Sequence, residues 1–180
     1  MPGADTADAT PHAVPAAAII PALNLAVPQA KIPLFVIAVM PIIAVLCAVT
    51  AIMGITIYSP TGYASHKNRE QKAPGNLAAK GMPAWLDRVQ GAQHNTWEAT
   101  MCLLCAVFVA MSSDFPKGFD KVGFLAKLTT CFLLCRVAYP VAYALDIDLL
   151  RTLLWFTGLY TTLMLSFGAL FPDSILPMFG

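Results

Sequence analysis

Charge is scarce in this chain. Acidic and basic side chains make up only 12% of its 180 residues, about half of what a soluble domain carries. Eleven Lys and Arg against ten Asp and Glu leave a formal net charge of +1, so nothing suggests nucleic-acid binding. The five cysteines, Cys47, Cys102, Cys105, Cys131 and Cys135, all lie in apolar runs and none in a polar loop. An odd number in a chain that is not a small secreted type argues against a disulfide framework. Cys102-x-x-Cys105 and Cys131-x-x-x-Cys135 lack a Gly-rich knuckle and fall mid-helix, so small buried side chains are expected there and no metal or cluster site. No basic residue precedes Lys31, which removes the positive start of an intact secretory signal, and the Arg-rich character of a transit peptide is missing too.

Apolar residues are abundant: 58% of the chain, with a mean hydropathy of +0.68. The class is integral membrane protein, all-α, with four spans packed as a four-helix bundle. Residues 1–31 form an Ala/Pro-rich arm whose only acids are Asp5 and Asp8, suited to lie on a partner or on the membrane surface. The membrane domain covers residues 32–172 and a short tail 173–180 follows. A span needs roughly 20 residues. The first is expected over 32–58, kinked at Pro41, the second over 84–111, the third over 122–144 with Arg136 and Pro140 interrupting it, and the fourth over 149–171, stopped by Pro172. The loop 59–83 is long and basic, with Lys67, Arg69, Lys72 and Lys80 against Glu70. By the positive-inside rule it faces the cytosol, stroma or matrix and both termini face the other side, in an endomembrane or organellar membrane. The repeats and broken helices of a transporter are not present.

One polar stripe breaks into this apolar pattern. Arg88, Gly91, Asn95, Glu98 and Cys102 are spaced at three or four residues and share one face of the second span. Ionisable groups within a span are costly and normally face a bundle interior or a wet cavity. Arg136, Tyr139 and Tyr143 repeat the spacing in the third span, and Arg151-Thr152 opens the fourth. Arginines bind carboxylates through paired donors, and a guanidinium near a sulfur stabilises its thiolate. Glu98 could hold an ammonium. A tripeptide thiol with two carboxylates and one ammonium, such as glutathione, suits this set. Structural roles are open beside it. Glu98 and Arg136 could pair and orient two helices. Arg88 and Arg151 could reach toward headgroups, and Tyr139 and Tyr143 could belong to an interfacial belt. His94 lies one residue off the stripe with no second His nearby, and His66 sits in a polar loop.

The pattern Arg88-Val-x-x-Ala92-Gln93-x-Asn95-x-x-Glu98, followed by Arg136-Val-Ala-Tyr139-Pro-Val-Ala-Tyr143 and Leu150-Arg151-Thr152, resembles the signature of the MAPEG family, membrane-associated proteins of eicosanoid and glutathione metabolism. The resemblance covers about residues 32–171. It implies a left-handed four-helix bundle, a homotrimer, and glutathione as co-substrate, conjugated to lipophilic electrophiles or used to reduce lipid hydroperoxides. It makes Arg88, Asn95, Glu98, Arg136, Tyr139 and Tyr143 glutathione contacts and Arg151 the thiolate-stabilising catalytic residue. Two positions depart from the family pattern. Gly91 stands where several catalytic members carry a second Arg, and His94 stands at or near a position often basic. The family also has members without enzymatic activity. The alternative is therefore a non-catalytic accessory subunit of a larger membrane complex, its arm and uncharged faces packed on other chains.

Overall fold

The structure is a computed structural model and describes residues 28–59, 77 and 80–175. The arm up to residue 27, most of the basic loop and the last five residues lie outside the described residues. A 3-10 turn at Pro28–Lys31 leads into α1 (Ile32–Tyr58). Then follow α2 (Ala84–Ser112), α3 (Lys121–Ala144), α4 (Asp148–Leu170) and a single turn, α5 (Pro172–Ile175). The first four are long and apolar enough to cross a membrane, and the chain is an all-α, multi-pass integral membrane protein.

Local chemistry sets where the helices begin and end. Pro33 lies in the first turn of α1, where a missing N–H costs nothing. The Asp120 carboxylate accepts from the Gly123 N–H at 2.9 Å and caps α3. Pro172 comes just after the α4 cap residue Phe171 and opens α5. The interruption expected at Arg136 and Pro140 does not occur: α3 runs unbroken through both. A transmembrane helix tolerates a proline where its neighbours and local adjustment make good the freed backbone groups. Hydroxyls inside the spans find acceptors within their own helices. Thr96 donates to the Ala92 carbonyl, Thr100 to Thr96 and Thr129 to Leu125, each at 2.7 Å.

The bundle pairs α1 with α2 and α3 with α4, while α2 touches all three other spans. Its main core joins Met40 of α1, Leu103 and Val107 of α2, Phe132 of α3 and Leu165 of α4. At Gly54 the first two helices come so close that an added Cβ would overlap the Leu86 side chain. The usual distribution of polarity is inverted. Gln90, Thr96, Thr129 and Arg136 are buried, whereas Phe35, Met53, Phe108, Leu134 and Phe156 are exposed. An outer surface this apolar is stable only against lipid or another protein.

At the end of the bundle where α2 meets α3, Lys121 closes the turn. Its Nζ donates to the Met111 and Ser113 carbonyls at 2.9 and 2.7 Å and lies 5.0 Å from the Phe115 ring centre. These carbonyls lie at the C-terminal end of α2 and its cap, where the helix has no intrahelical donors for them. Lys121→Met keeps the side-chain length and removes both bonds. It should lower stability by about 1–3 kcal/mol, read as a fall in the thermal midpoint in detergent. An unchanged midpoint would show the clasp to be incidental.

Candidate functional site

The polar residues of α3 lie along one face. Phe132, Arg136, Tyr139 and Tyr143 follow the spacing of successive helical turns, so their side chains stack above one another. The Arg136 guanidinium carbon sits 5.3 Å from the Phe132 ring centre and 5.2 Å from that of Tyr139. The Tyr139 and Tyr143 rings are 5.5 Å apart. Arg151, from the first turn of α4, adds its guanidinium 4.8 Å from the Tyr143 ring. The result is a ladder with a cation near each end and two tyrosine rings between, in the range where ring quadrupoles attract cations.

Arg136 is the buried cation of the ladder. It is 3% exposed, and its Nε and one terminal nitrogen are sealed from solvent without a hydrogen bond. Its room comes from α4. A Cβ built on Gly158 would stand 3.2 Å from the other terminal nitrogen, so only glycine leaves the guanidinium its place without displacement. Beside it opens a cavity of about 110 Å³ between α2, α3 and α4. Asn95, Glu98 and Cys102 line it from α2, Phe132 and Arg136 from α3, and Trp155, Gly158 and Thr162 from α4. Asn95 is also tied to the ladder: its Nδ2 donates to the Tyr139 hydroxyl at 2.9 Å.

The sequence-predicted residues thus divide. Asn95, Glu98 and Arg136 meet at the cavity. Tyr139 adjoins it through Asn95 and Arg136, and Tyr143 and Arg151 continue the ladder away from it. Arg151 is otherwise paired with Asp148, at 2.8 Å in its own helix. Arg88 stands apart. Its Nε donates to the Ala144 carbonyl at 3.3 Å and a terminal nitrogen meets Asp146 at 3.4 Å, which fastens α2 to the end of α3. Among the described residues no Glu98–Arg136 ion pair forms; Glu98 is exposed and opens toward the cavity. Gln90 is buried with its Oε1 unbonded and does not line the cavity. His94 is exposed.

Gly91 has a structural explanation. A Cβ there would lie 2.9 Å from the Tyr143 hydroxyl and 3.2 Å from two of its ring carbons. The tyrosine occupies the space in which a larger residue of α2 would stand. The contributions of Phe132, Trp155, Gly158 and Thr162 escaped the sequence reading. Part of the signal was present, since Trp155, Gly158 and Thr162 continue the spacing begun at Arg151. Glycine within a span carries no chemical mark of a guanidinium seat. Among the described residues, no cluster of His, Cys, Asp and Glu is arranged to hold a metal ion.

The arrangement can receive an anion. Arg136 borders the opening, and a guanidinium there favours a carboxylate, while the Glu98 carboxylate at the same opening favours a cationic group. No curated protein and no solved structure matches the chain. Residues 32–171 match the MAPEG family over the four spans that carry the cavity and the ladder, and the chain belongs to that family.

Proposed function

We propose that this protein is a glutathione-dependent transferase or peroxidase acting on lipophilic substrates dissolved in the bilayer. The observation that carries the reading is Arg136. A buried cation without hydrogen-bonded partners is costly, and here it borders an opening whose other polar groups, Asn95 and Glu98, complement a zwitterionic ligand. Membership of a family generally associated with glutathione supports the same ligand. In this reading a glutathione carboxylate sits on Arg136 and its ammonium on Glu98. Asn95 and Tyr139 hold one another in place at the wall. Tyr143 and Arg151 form the outer part of the site, with Arg151 at the thiol. Arg88 acts by fixing the end of α3.

The cavity is smaller than a tripeptide, so the ligand extends beyond it onto the exposed face of α2. We infer that a neighbouring copy in a homotrimer covers that face. Family members usually form oligomers, and an exposed Glu98 near the middle of a span calls for cover from lipid. The basic loop is read as facing the cytosol, stroma or matrix.

Calorimetry on the detergent-purified protein tests the reading. Glutathione should bind saturably, and Glu98→Gln should weaken binding by about tenfold or more, the loss of one charged hydrogen bond. A well-folded sample that binds no glutathione would move the protein to the accessory-subunit reading. That reading draws on the Tyr143 ring filling the place beside Gly91, and on Arg88 being committed to Asp146.

A further inference from the structure

The cavity also holds a nucleophile that glutathione chemistry does not use. Cys102 lines it, is exposed and carries a free thiol. A cysteine alone marks no site. This one shares its cavity with Arg136, a residue 3% exposed whose Nε and one terminal nitrogen lack hydrogen-bond partners. Cys105, three residues on, is also exposed and free but does not line the cavity. The two thiols therefore share a helix and a depth and differ in the cation beside them.

We propose that Cys102 is a covalent modification site for short carboxylate-bearing electrophiles, steered to the sulfur by Arg136. A cavity of about 110 Å³ is somewhat smaller than one that holds benzene, so it takes roughly five heavy atoms. The fitting class is the small α,β-unsaturated or α-halogenated acid. With an unsaturated acid, the sulfur forms a C–S bond at the β-carbon and the thiol proton ends on the α-carbon. Nothing is oxidised or reduced. With a halogenated acid, the C–S bond forms as the carbon–halogen bond breaks, the halide leaves with the electron pair, and the proton goes to buffer. Either adduct fills the cavity and places a carboxylate permanently against Arg136, which closes the site to any other anion. The proposal rests on Arg136 as an anion seat, the feature it shares with the proposed function, and not on glutathione as the ligand.

The test compares iodoacetate with iodoacetamide, reagents of nearly the same size that differ in charge. The whole protein in detergent is alkylated with each, and the rates at Cys102 and Cys105 are read separately by tandem mass spectrometry. The iodoacetate-to-iodoacetamide rate ratio should be at least about tenfold higher at Cys102 than at Cys105, the lower range of electrostatic steering. Arg136→Met should abolish that difference; loss of the cation also slows both reagents at Cys102 through the thiolate, so the ratio of the two rates, not either rate alone, is the quantity read. Should that variant not fold, propionate added to the unmodified protein should slow alkylation of Cys102 and spare Cys105. Equal ratios at the two cysteines, or no labelling of Cys102 by either reagent, would overturn the proposal. The two readings fail separately. A clear preference at Cys102 without calorimetric glutathione binding removes the transferase reading alone, and glutathione binding without the preference removes this one alone.

Discussion

Replacing Arg136 with methionine should remove glutathione binding and leave the protein at least as stable as before. The two halves follow from the same feature. Arg136 is 3% exposed, has a sealed Nε and a sealed terminal nitrogen without hydrogen bonds, and among the described residues is met by the Phe132 and Tyr139 rings. Cation–π contacts return about 0.5–2 kcal/mol each, less than the several kcal/mol that a buried ion costs after relaxation. Methionine keeps much of the side-chain length, fills the space beside Gly158 and adds no charge. The thermal midpoint in detergent should therefore stay level or rise. Binding should fall by more than tenfold, because a charged contact to a carboxylate contributes about 1.5–3 kcal/mol. A guanidinium that served only to hold α3 against α4 would give the opposite pair of results: a lower midpoint and unaltered affinity. Reading both quantities on one variant separates a ligand seat from a structural cation.

The four spans were legible because hydropathy and helix-end chemistry are local. Pro33 near the start of α1 and Pro172 after α4 each sit within a few residues of the boundaries they set. The polar stripe on α2 was legible for the same reason, since spacing fixes which residues share a face. Pro140 misled because the strength of a proline break depends on surroundings that composition does not reveal, and α3 continues through it.

The division of the candidate site was not legible. Periodicity places Arg88 and Asn95 on one face of α2, yet which neighbour each meets depends on how α2 is rotated against α3 and where the next turn begins. Arg88 sits far enough toward the end of its helix to reach Asp146 and the Ala144 carbonyl, and it leaves the site. Two glycines decide the rest. Gly91 lets the Tyr143 ring lie against α2, and Gly158 leaves room for Arg136 beside α4. In a sequence both read as small residues in apolar runs. Their role appears only when the side chain of another helix is seen in the space that a Cβ would take.

Arg151→Ala should reduce conjugation of glutathione to a lipophilic chloronitrobenzene by about 10²–10³-fold in kcat, the usual loss when one charge-stabilising donor is removed. The fold should survive. Arg151 makes a partly exposed pair with Asp148 in its own helix and stacks on Tyr143; such a pair contributes about 0–1 kcal/mol. Glutathione affinity should change less than kcat, because the Tyr139 and Tyr143 rings stand between Arg151 and the cavity that holds Asn95, Glu98 and Arg136. The pH profile supplies a sign. A guanidinium near the glutathione sulfur favours the thiolate, so its removal leaves more of the bound thiol protonated near neutral pH. The rate of the variant should then climb as pH rises through the range of an ordinary thiol, and the gap to the unaltered protein should narrow in alkali. Arg151→Lys keeps the charge but not the flat stacking surface, and should fall between the two. A variant with lost activity and an unshifted profile would assign Arg151 to holding Tyr143 in place. Full activity in Arg151→Ala would take Arg151 out of the chemistry and leave the thiolate to another group at the cavity.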